Sequence, residues 1–294
     1  MIRHWKRHVL PAIEAIKPRR ILEIGADWGW NTREILAYCR TSGCRADIVD
    51  PAPRPELHDE LAKFSSELYH YHPLRSLQAI PQLLTPDIAL IDGDHNWYTV
   101  FHELKQLYAR AHETDAPPPI CIMHDVGWPY ARRDMYYNPD DIPVQWRHPY
   151  AYRGMLPGVS ELHEDGMNGV LANALHEGGP LNGVMTAIED YIASSKLDIQ
   201  LYVLPYFNGL GFLVPEQRMT AELKALIEGF FGAEELLKSC IELEKGSMRT
   251  RATLQKTETR LQQRTDALER ARRIMAKQKA LIEAFEAKKA AAPE

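Results

Sequence analysis

RILEIGADWGW, Arg20 to Trp30, is a short apolar run that ends in an acid and two glycines four residues apart. Ile21, Leu22 and Ile24 form a β-rich stretch that is too short for a helix and is closed by Gly25. The residues after Trp30 suit a helix, because Asn31 or Thr32 can cap it and Glu34 falls in its first turn. The stretch therefore reads as the first strand of an open α/β sheet, turning through a Gly-bracketed loop into a helix near Asn31. Gly25 and Gly29 would let the backbone approach a flat or polar ligand at the mouth of the sheet, where such folds bind small molecules.

Further strands read as Ala46 to Asp50, Tyr69 to His72, Asp87 to Ile91 and Ile120 to Met123, with helices between them. Ile199 to Leu204 and Gly209 to Val214, separated by PYFN, read as a closing antiparallel hairpin. The expected fold is α/β: a Rossmann-like, mostly parallel seven-stranded sheet with an antiparallel final hairpin and a C-terminal helical extension. Residues 1–17 read as a leading helix, 18–215 as the sheet domain with a long insertion at 126–180, and 216–294 as the extension.

Asp50 ends the second strand 21 residues beyond Gly29, where a carboxylate commonly accepts hydrogen bonds from a ribose hydroxyl pair. That spacing suits either a dinucleotide or S-adenosylmethionine, and the loop separates them. A dinucleotide fingerprint, G-x-G-x-x-G, wraps a pyrophosphate. Here Glu23, Gly25 and Gly29 form E-x-G-x-x-x-G with Asp27 between, and two carboxylates repel a pyrophosphate but receive an ammonium. The loop resembles motif I of the class I S-adenosylmethionine-dependent methyltransferases, with Asp50 at the family's second acidic position. That resemblance implies S-adenosylmethionine as cofactor and a place near Ser76, after the third strand, for its adenine.

The fourth and fifth strands open into Asp92-Gly93-Asp94-His95 and His124-Asp125, two polar clusters on the edge that also holds the loop. Carboxylates there have the chemistry to hold Mg²⁺, usually one or two per ion with water or substrate completing the octahedron. A hydroxyl bound to such an ion is acidified and oriented, which is what methyl transfer to oxygen requires. The strings IDGDHNWYTVFHEL (91–104) and MHDVGWPYARRDMYY (123–137) resemble the Methyltransferase-24 group and the related metal-dependent sugar O-methyltransferases and cephalosporin-hydroxylase-like proteins. Carried over residue by residue, Asp92 and Asp125 are implied metal ligands for Mg²⁺ or Mn²⁺. His124 stands where relatives have a second acid, which leaves open a softer metal or none. His95 is the candidate general base, since imidazole titrates near neutrality, and equally a structural histidine beside a helix cap at Asp94.

Between Trp128 and Arg153 the insertion carries seven tryptophans and tyrosines (Trp128, Tyr130, Tyr136, Tyr137, Trp146, Tyr150, Tyr152) and the arginines Arg132, Arg133, Arg147 and Arg153. It reads as a lid that stacks on sugar rings and pairs with anionic groups, with Arg132, Arg133 and Tyr137 as substrate contacts, or as a surface excursion packed on the sheet. The expected acceptor is a small molecule or glycan hydroxyl. An NAD-dependent sugar oxidoreductase and a non-catalytic scaffold are the rival readings.

The net charge of −5 argues against a nucleic-acid partner. The charge is uneven: from Arg251 onward eleven Lys/Arg stand against six Asp/Glu, leaving the remainder strongly acidic. Leu254, Leu261, Leu268, Met275 and Ile282 recur every seven residues, beside a poorer column of Thr257, Arg264, Ala271, Gln278 and Phe285. The pattern suits a weak coiled coil giving a homo-oligomer, or a solvated basic tail. No CxxC pair occurs among the four cysteines, and the start lacks the features of a signal peptide. The expectation is a cytoplasmic chain with reduced cysteines, whose basic tail suits the anionic inner face of a membrane.

Overall fold

Ile21, Leu22 and Ile24 sit buried at the centre of a seven-stranded sheet, as a continuous apolar run covered on both faces must. The computed structural model describes residues 1–290, without the side chains of 285, 286 and 288–290. Along the chain, α1 (Leu10–Ile16) leads into β1 (Arg20–Ile24), α2 (Trp30–Ser42), β2 (Arg45–Val49), α3 (Glu56–Leu61), β3 (Tyr69–His72), α4 (Ser76–Ala79), β4 (Ile88–Ile91), α5 (Trp97–Glu113) and β5 (Ile120–His124). An insertion comes next, with short strands β6 (Met135–Tyr136), β7 (Tyr150–Ala151) and β8 (Ala172–Ala174). The chain then forms α6 (Val184–Ser194), β9 (Ile199–Leu204), β10 (Leu210–Pro215), α7 (Ala221–Gly229) and α8 (Ala233–Ala290).

The sheet order is β3-β2-β1-β4-β5-β10-β9, with β1 to β5 parallel and β10 antiparallel to both β5 and β9. This is the Rossmann-like sheet with an antiparallel closing hairpin. Strand order reverses at β1, between β2 and β4, and all five parallel strands end on one edge. Ligands bind at that point in open α/β sheets. One apolar layer joins α1, α2, α3 and α7 to the sheet, and the other joins α5 and α6 to its opposite face.

The leading helix is shorter than expected. Residues 2–4 form a 3₁₀ turn and residues 5–9 a π-type turn before α1 begins. Pro11 has no N–H to bond back to Arg7, so a regular α-helix does not extend through this point. α7 belongs to the compact unit Met1–Gly232, its Leu223 and Ile227 buried with Ala12 and Ile13 of α1. α8 is a separate 58-residue helix on which Leu254, Leu261, Leu268, Met275 and Ile282 are all exposed. Phe285, the end of the second column, lies outside the described side chains. Among the described residues no helix is long and apolar enough to cross a membrane.

Candidate functional site

At the tips of β1 and β2 the polar residues are spent on building the loop. Glu23 is buried, and its carboxylate accepts from Thr32 Oγ1 at 2.6 Å and Asn31 Nδ2 at 3.0 Å. Burial pushes Glu23 up to about 7; the Asp92 and Asp50 carboxylates add to the rise, while its two hydrogen bonds oppose it. Asn31 and Thr32 therefore do not cap α2, contrary to the expectation from sequence. Gly29, in the left-handed region, is the N-cap and has no side chain to offer.

Gly25 has φ +85°, and a Cβ there would stand 2.2 Å from the carbonyl oxygen of Asp92. Its lack of a side chain is thus required by the approach of the β1 turn to the β4 turn, whatever ligand binds. Gly29, at φ +75°, similarly lets the loop lie against Leu57 of α3. Asp50 accepts the N–H groups of Ala26 and Asp27 on Oδ2 and that of Ala52 on Oδ1, each at 2.9 Å. One lone-pair direction remains free on Asp50, where room for a pair of ribose hydroxyls was expected. Asp27 is paired with Arg54 Nε at 3.5 Å, and that guanidinium lies over the ring of Trp28. Ser76 opens α4 and is buried beside Glu103 of α5, whose two carboxyl oxygens have no hydrogen-bond partner and which burial pushes up to about 8.

At the tips of β4 and β5 the charges instead face one another. His124 Nδ1 lies 3.1 Å from Asp92 Oδ1 and 2.8 Å from Asp125 Oδ2, while Nε2 lies 3.1 Å from the carbonyl oxygen of Phe207. A carbonyl only accepts, so Nε2 carries a proton. Nδ1 then faces two carboxylates either as an imidazolium or across a cation. His95 Nε2 is in ion-pair contact with Asp125 Oδ2 at 2.9 Å and lies 3.8 Å from Asp92 Oδ1, though neither buried ring nitrogen of His95 has a well-aligned hydrogen bond, and Nδ1 faces no carboxylate. Met1 brings its α-ammonium to 2.5 Å from Asp92 Oδ2, with its thioether 4.0 Å from Asn31 Nδ2.

Burial opposes charge on all four side chains, yet the mutual attraction wins. His95 is raised to about 10, chiefly by Asp125, and His124 to about 9, chiefly by Asp92. Asp92 and Asp125 are held well below the usual carboxylate range by the histidines, with Met1's ammonium adding to the pull on Asp92. Asp92, His124 and Asp125 each offer one ligand atom, all within 4.8 Å of one another. Two hard carboxylate oxygens and an imidazole nitrogen whose other side is fixed by a carbonyl fit a divalent cation, Mn²⁺ more readily than Mg²⁺ because of the nitrogen.

The helix cap after this cluster is Asn96, which accepts from the Thr99 N–H at 2.9 Å; Asp94 instead accepts from the Thr99 hydroxyl. His95 is held by neighbours that the sequence did not reveal. The Tyr130 ring stacks on it at 5.1 Å between centroids, and its carbonyl accepts from Met135 of β6. Tyr130 is in turn fixed by Asn168 Nδ2 at 2.7 Å. His4 packs edge-on against His124, 6.0 Å between centroids, and burial, then His124 and His8, lower it to about 3, so it is neutral. Tyr137, 63% exposed, tilts over His95 at 6.0 Å.

Arg132 and Arg133 of the insertion lie elsewhere. Arg133 is fully buried, its guanidinium donating to the carbonyls of Ala174 and Ser160. It therefore holds the insertion together and has no face for an acceptor, a correction to the expectation for that residue. Arg132 forks onto Glu189 of α6 and also reaches Thr186. Most of the aromatics pack inward as well: Tyr130 and Tyr136 are buried, and Trp146 stacks on Trp97 of α5.

No protein-family model and no curated protein matches the chain. Solved structures do. An S-adenosylhomocysteine-bound methyltransferase of Podospora anserina is 14% identical with a TM-score of 0.46, over 70% of this chain and 76% of that one. Human N-acetylserotonin methyltransferase in complex with S-adenosylmethionine is 15% identical with a TM-score of 0.39, over 70% and 50%. An O-methyltransferase family protein from Burkholderia thailandensis is 12% identical with a TM-score of 0.37, over 70% and 55%. This chain thus spans about half the length of the last two. At such scores the likeness carries no weight of its own, and the chemistry rests on the side chains at the sheet edge.

Proposed function

We propose that this chain is an S-adenosylmethionine-dependent O-methyltransferase, assisted by a divalent cation, acting on a hydroxyl of a sugar or glycosylated product. The observation that carries the cofactor reading is the state of the glycine loop. Its Ala26 and Asp27 amides, the groups that a pyrophosphate would need, are already taken by Asp50. Asp27 and Asp92 line the same turn with carboxylates, which repel a dinucleotide and favour a cationic ligand. Asp92 already carries a methionyl ammonium, that of Met1, with the thioether beside Asn31. The amino-acid end of S-adenosylmethionine bears an equivalent ammonium and a sulfonium, and would replace it.

A divalent cation held by Asp92, His124 and Asp125 would acidify the acceptor hydroxyl and orient it. The remaining work belongs to the chain's own side chains. The Phe207 carbonyl keeps the proton on His124 Nε2 and so presents Nδ1 to the ligand side. Tyr130 and Asp125 hold the His95 ring, whose unpartnered Nδ1 is the nitrogen available to an acceptor proton. With both carboxylates unneutralised His95 stays protonated; offsetting their charge frees it to act as a base. Tyr137 and the exposed aromatics Tyr150 and Tyr152 supply ring faces suited to a sugar.

Calorimetric titration with S-adenosylhomocysteine and with NAD tests the reading. Binding of the first alone is expected. Tight NAD binding without S-adenosylhomocysteine binding would move the chain to the oxidoreductases. A methyl-transfer screen against nucleotide sugars and glycans then identifies the acceptor.

A further inference from the structure

A regular column of exposed apolar side chains runs along α8. Leu254, Leu261, Leu268, Met275 and Ile282 are each between 54% and 67% exposed, and they repeat every seven residues through a helix of 58. A strict seven-residue column drifts by about 20° per repeat around a straight helix, so it stays on one face only when the helix supercoils around another. The column is narrow. Thr257, Arg264, Ala271 and Gln278 lie three residues further on, too polar for the broad apolar face of a membrane-surface helix. Another helix is the partner that this spacing fits.

We propose that residues 250–282 pair with the same segment of a second copy of this chain, antiparallel. In a parallel, in-register pair Arg264 would meet Arg264 of the other copy, while leucines would face leucines and the small polar residues one another. Reversing one helix, so that Leu268 lies opposite Arg264, gives layers of one large and one small or flexible residue throughout. Leu261 then faces Ala271, Met275 faces Thr257 and Leu254 faces Gln278. The same register sets Glu258 across from Arg272 in both halves of the pair, and lays the stem of Arg260 over Ile274. Ile274 and Leu281, exposed on the flank of the column, are thereby covered as well.

The chain carries its own reporter of orientation. Cys240 is exposed and lies on the same column, two repeats before Leu254. A parallel pair would bring the two Cys240 thiols together, whereas the antiparallel pair sets them about 80 Å apart at 1.5 Å per residue. Thr265 behaves oppositely, since only the antiparallel register brings it next to Thr265 of the other copy. Light scattering on the full chain should give twice the 33.6 kDa chain mass. The double variant Leu261→Glu, Leu268→Glu should halve it without shifting the thermal unfolding of residues 1–232. Under mild oxidation Thr265→Cys should form a covalent dimer and the parent chain should not. A monomeric mass overturns the proposal, and so does a dimer that crosslinks through Cys240 but not through Thr265→Cys. A monomer that sediments with phosphatidylserine vesicles would assign the helix to a membrane surface instead.

Discussion

The two adjoining halves of the sheet edge use the same residue types in opposite ways. At the β1 and β2 tips, Glu23 and Asp50 have their oxygens occupied by Asn31, Thr32 and the amides of Ala26, Asp27 and Ala52. At the β4 and β5 tips, Asp92, Asp125, His95 and His124 are bonded mainly to one another, as charges. The first half is a closed network that shapes a loop. The second is an arrangement whose protonation depends on what sits among its members, which is the property that chemistry requires.

The sharpest break of that comparison comes from removing a charge on the reactive side. Asp125→Asn should lower methyl transfer by about two to four orders of magnitude, with cofactor affinity little changed. An equal loss of S-adenosylhomocysteine binding would show that the two halves are not separate in function. Gly25→Ala attacks the shaping side. Its φ of +85° and the 2.2 Å approach to Asp92 should cost on the order of 3 kcal/mol of stability, read by denaturant unfolding. A neutral result would mean that the β1 and β4 turns can part to admit a methyl group.

Acid and base titrations sharpen the contrast further. His95 and His124 bind protons more tightly folded than unfolded, so their contribution is complete below pH 6.5 and is lost as pH rises through about 9 to 10. Glu23 has the same sign but an earlier window, complete below pH 4.5 and lost through about 7. Asp92 and Asp125 act oppositely, stabilising above pH 3.8 and failing as pH falls below it. The melting temperature should therefore decline from pH 6.5 to 10, and His95→Gln should flatten the alkaline part. An unchanged slope in that variant would remove His95 from the charged cluster. The smallest effect is expected at Arg132→Ala, under about 1 kcal/mol because its pair with Glu189 is solvent-exposed; a large loss of activity there would restore it as an acceptor contact.

The sheet was legible because Ile21 to Ile24, Ile88 to Ile91 and Ile120 to Met123 are apolar runs of strand length punctuated by glycine and acids. The gathering of Asp92, His95, His124 and Asp125 came from parallel strands ending on one edge. The insertion was not legible: its strands are two or three residues long, too short for any period, and they are held by the buried carboxylate of Asp134 and the buried guanidinium of Arg133. Arginine beside aromatics reads the same whether it faces solvent or a carbonyl. Met1, His4 and Phe207 were invisible for another reason, because they reach His124 and Asp92 from far along the chain.

The most direct test of the difference between the two halves is Mn²⁺ binding monitored by electron paramagnetic resonance on the full chain at neutral pH. The wild-type chain should remove free Mn²⁺ from solution at a single site, Asp125→Asn should abolish that uptake, and Asp50→Asn should leave it in place. A free Mn²⁺ signal undiminished by the wild-type chain, or uptake that survives Asp125→Asn, would contradict the assignment of a cation to Asp92, His124 and Asp125.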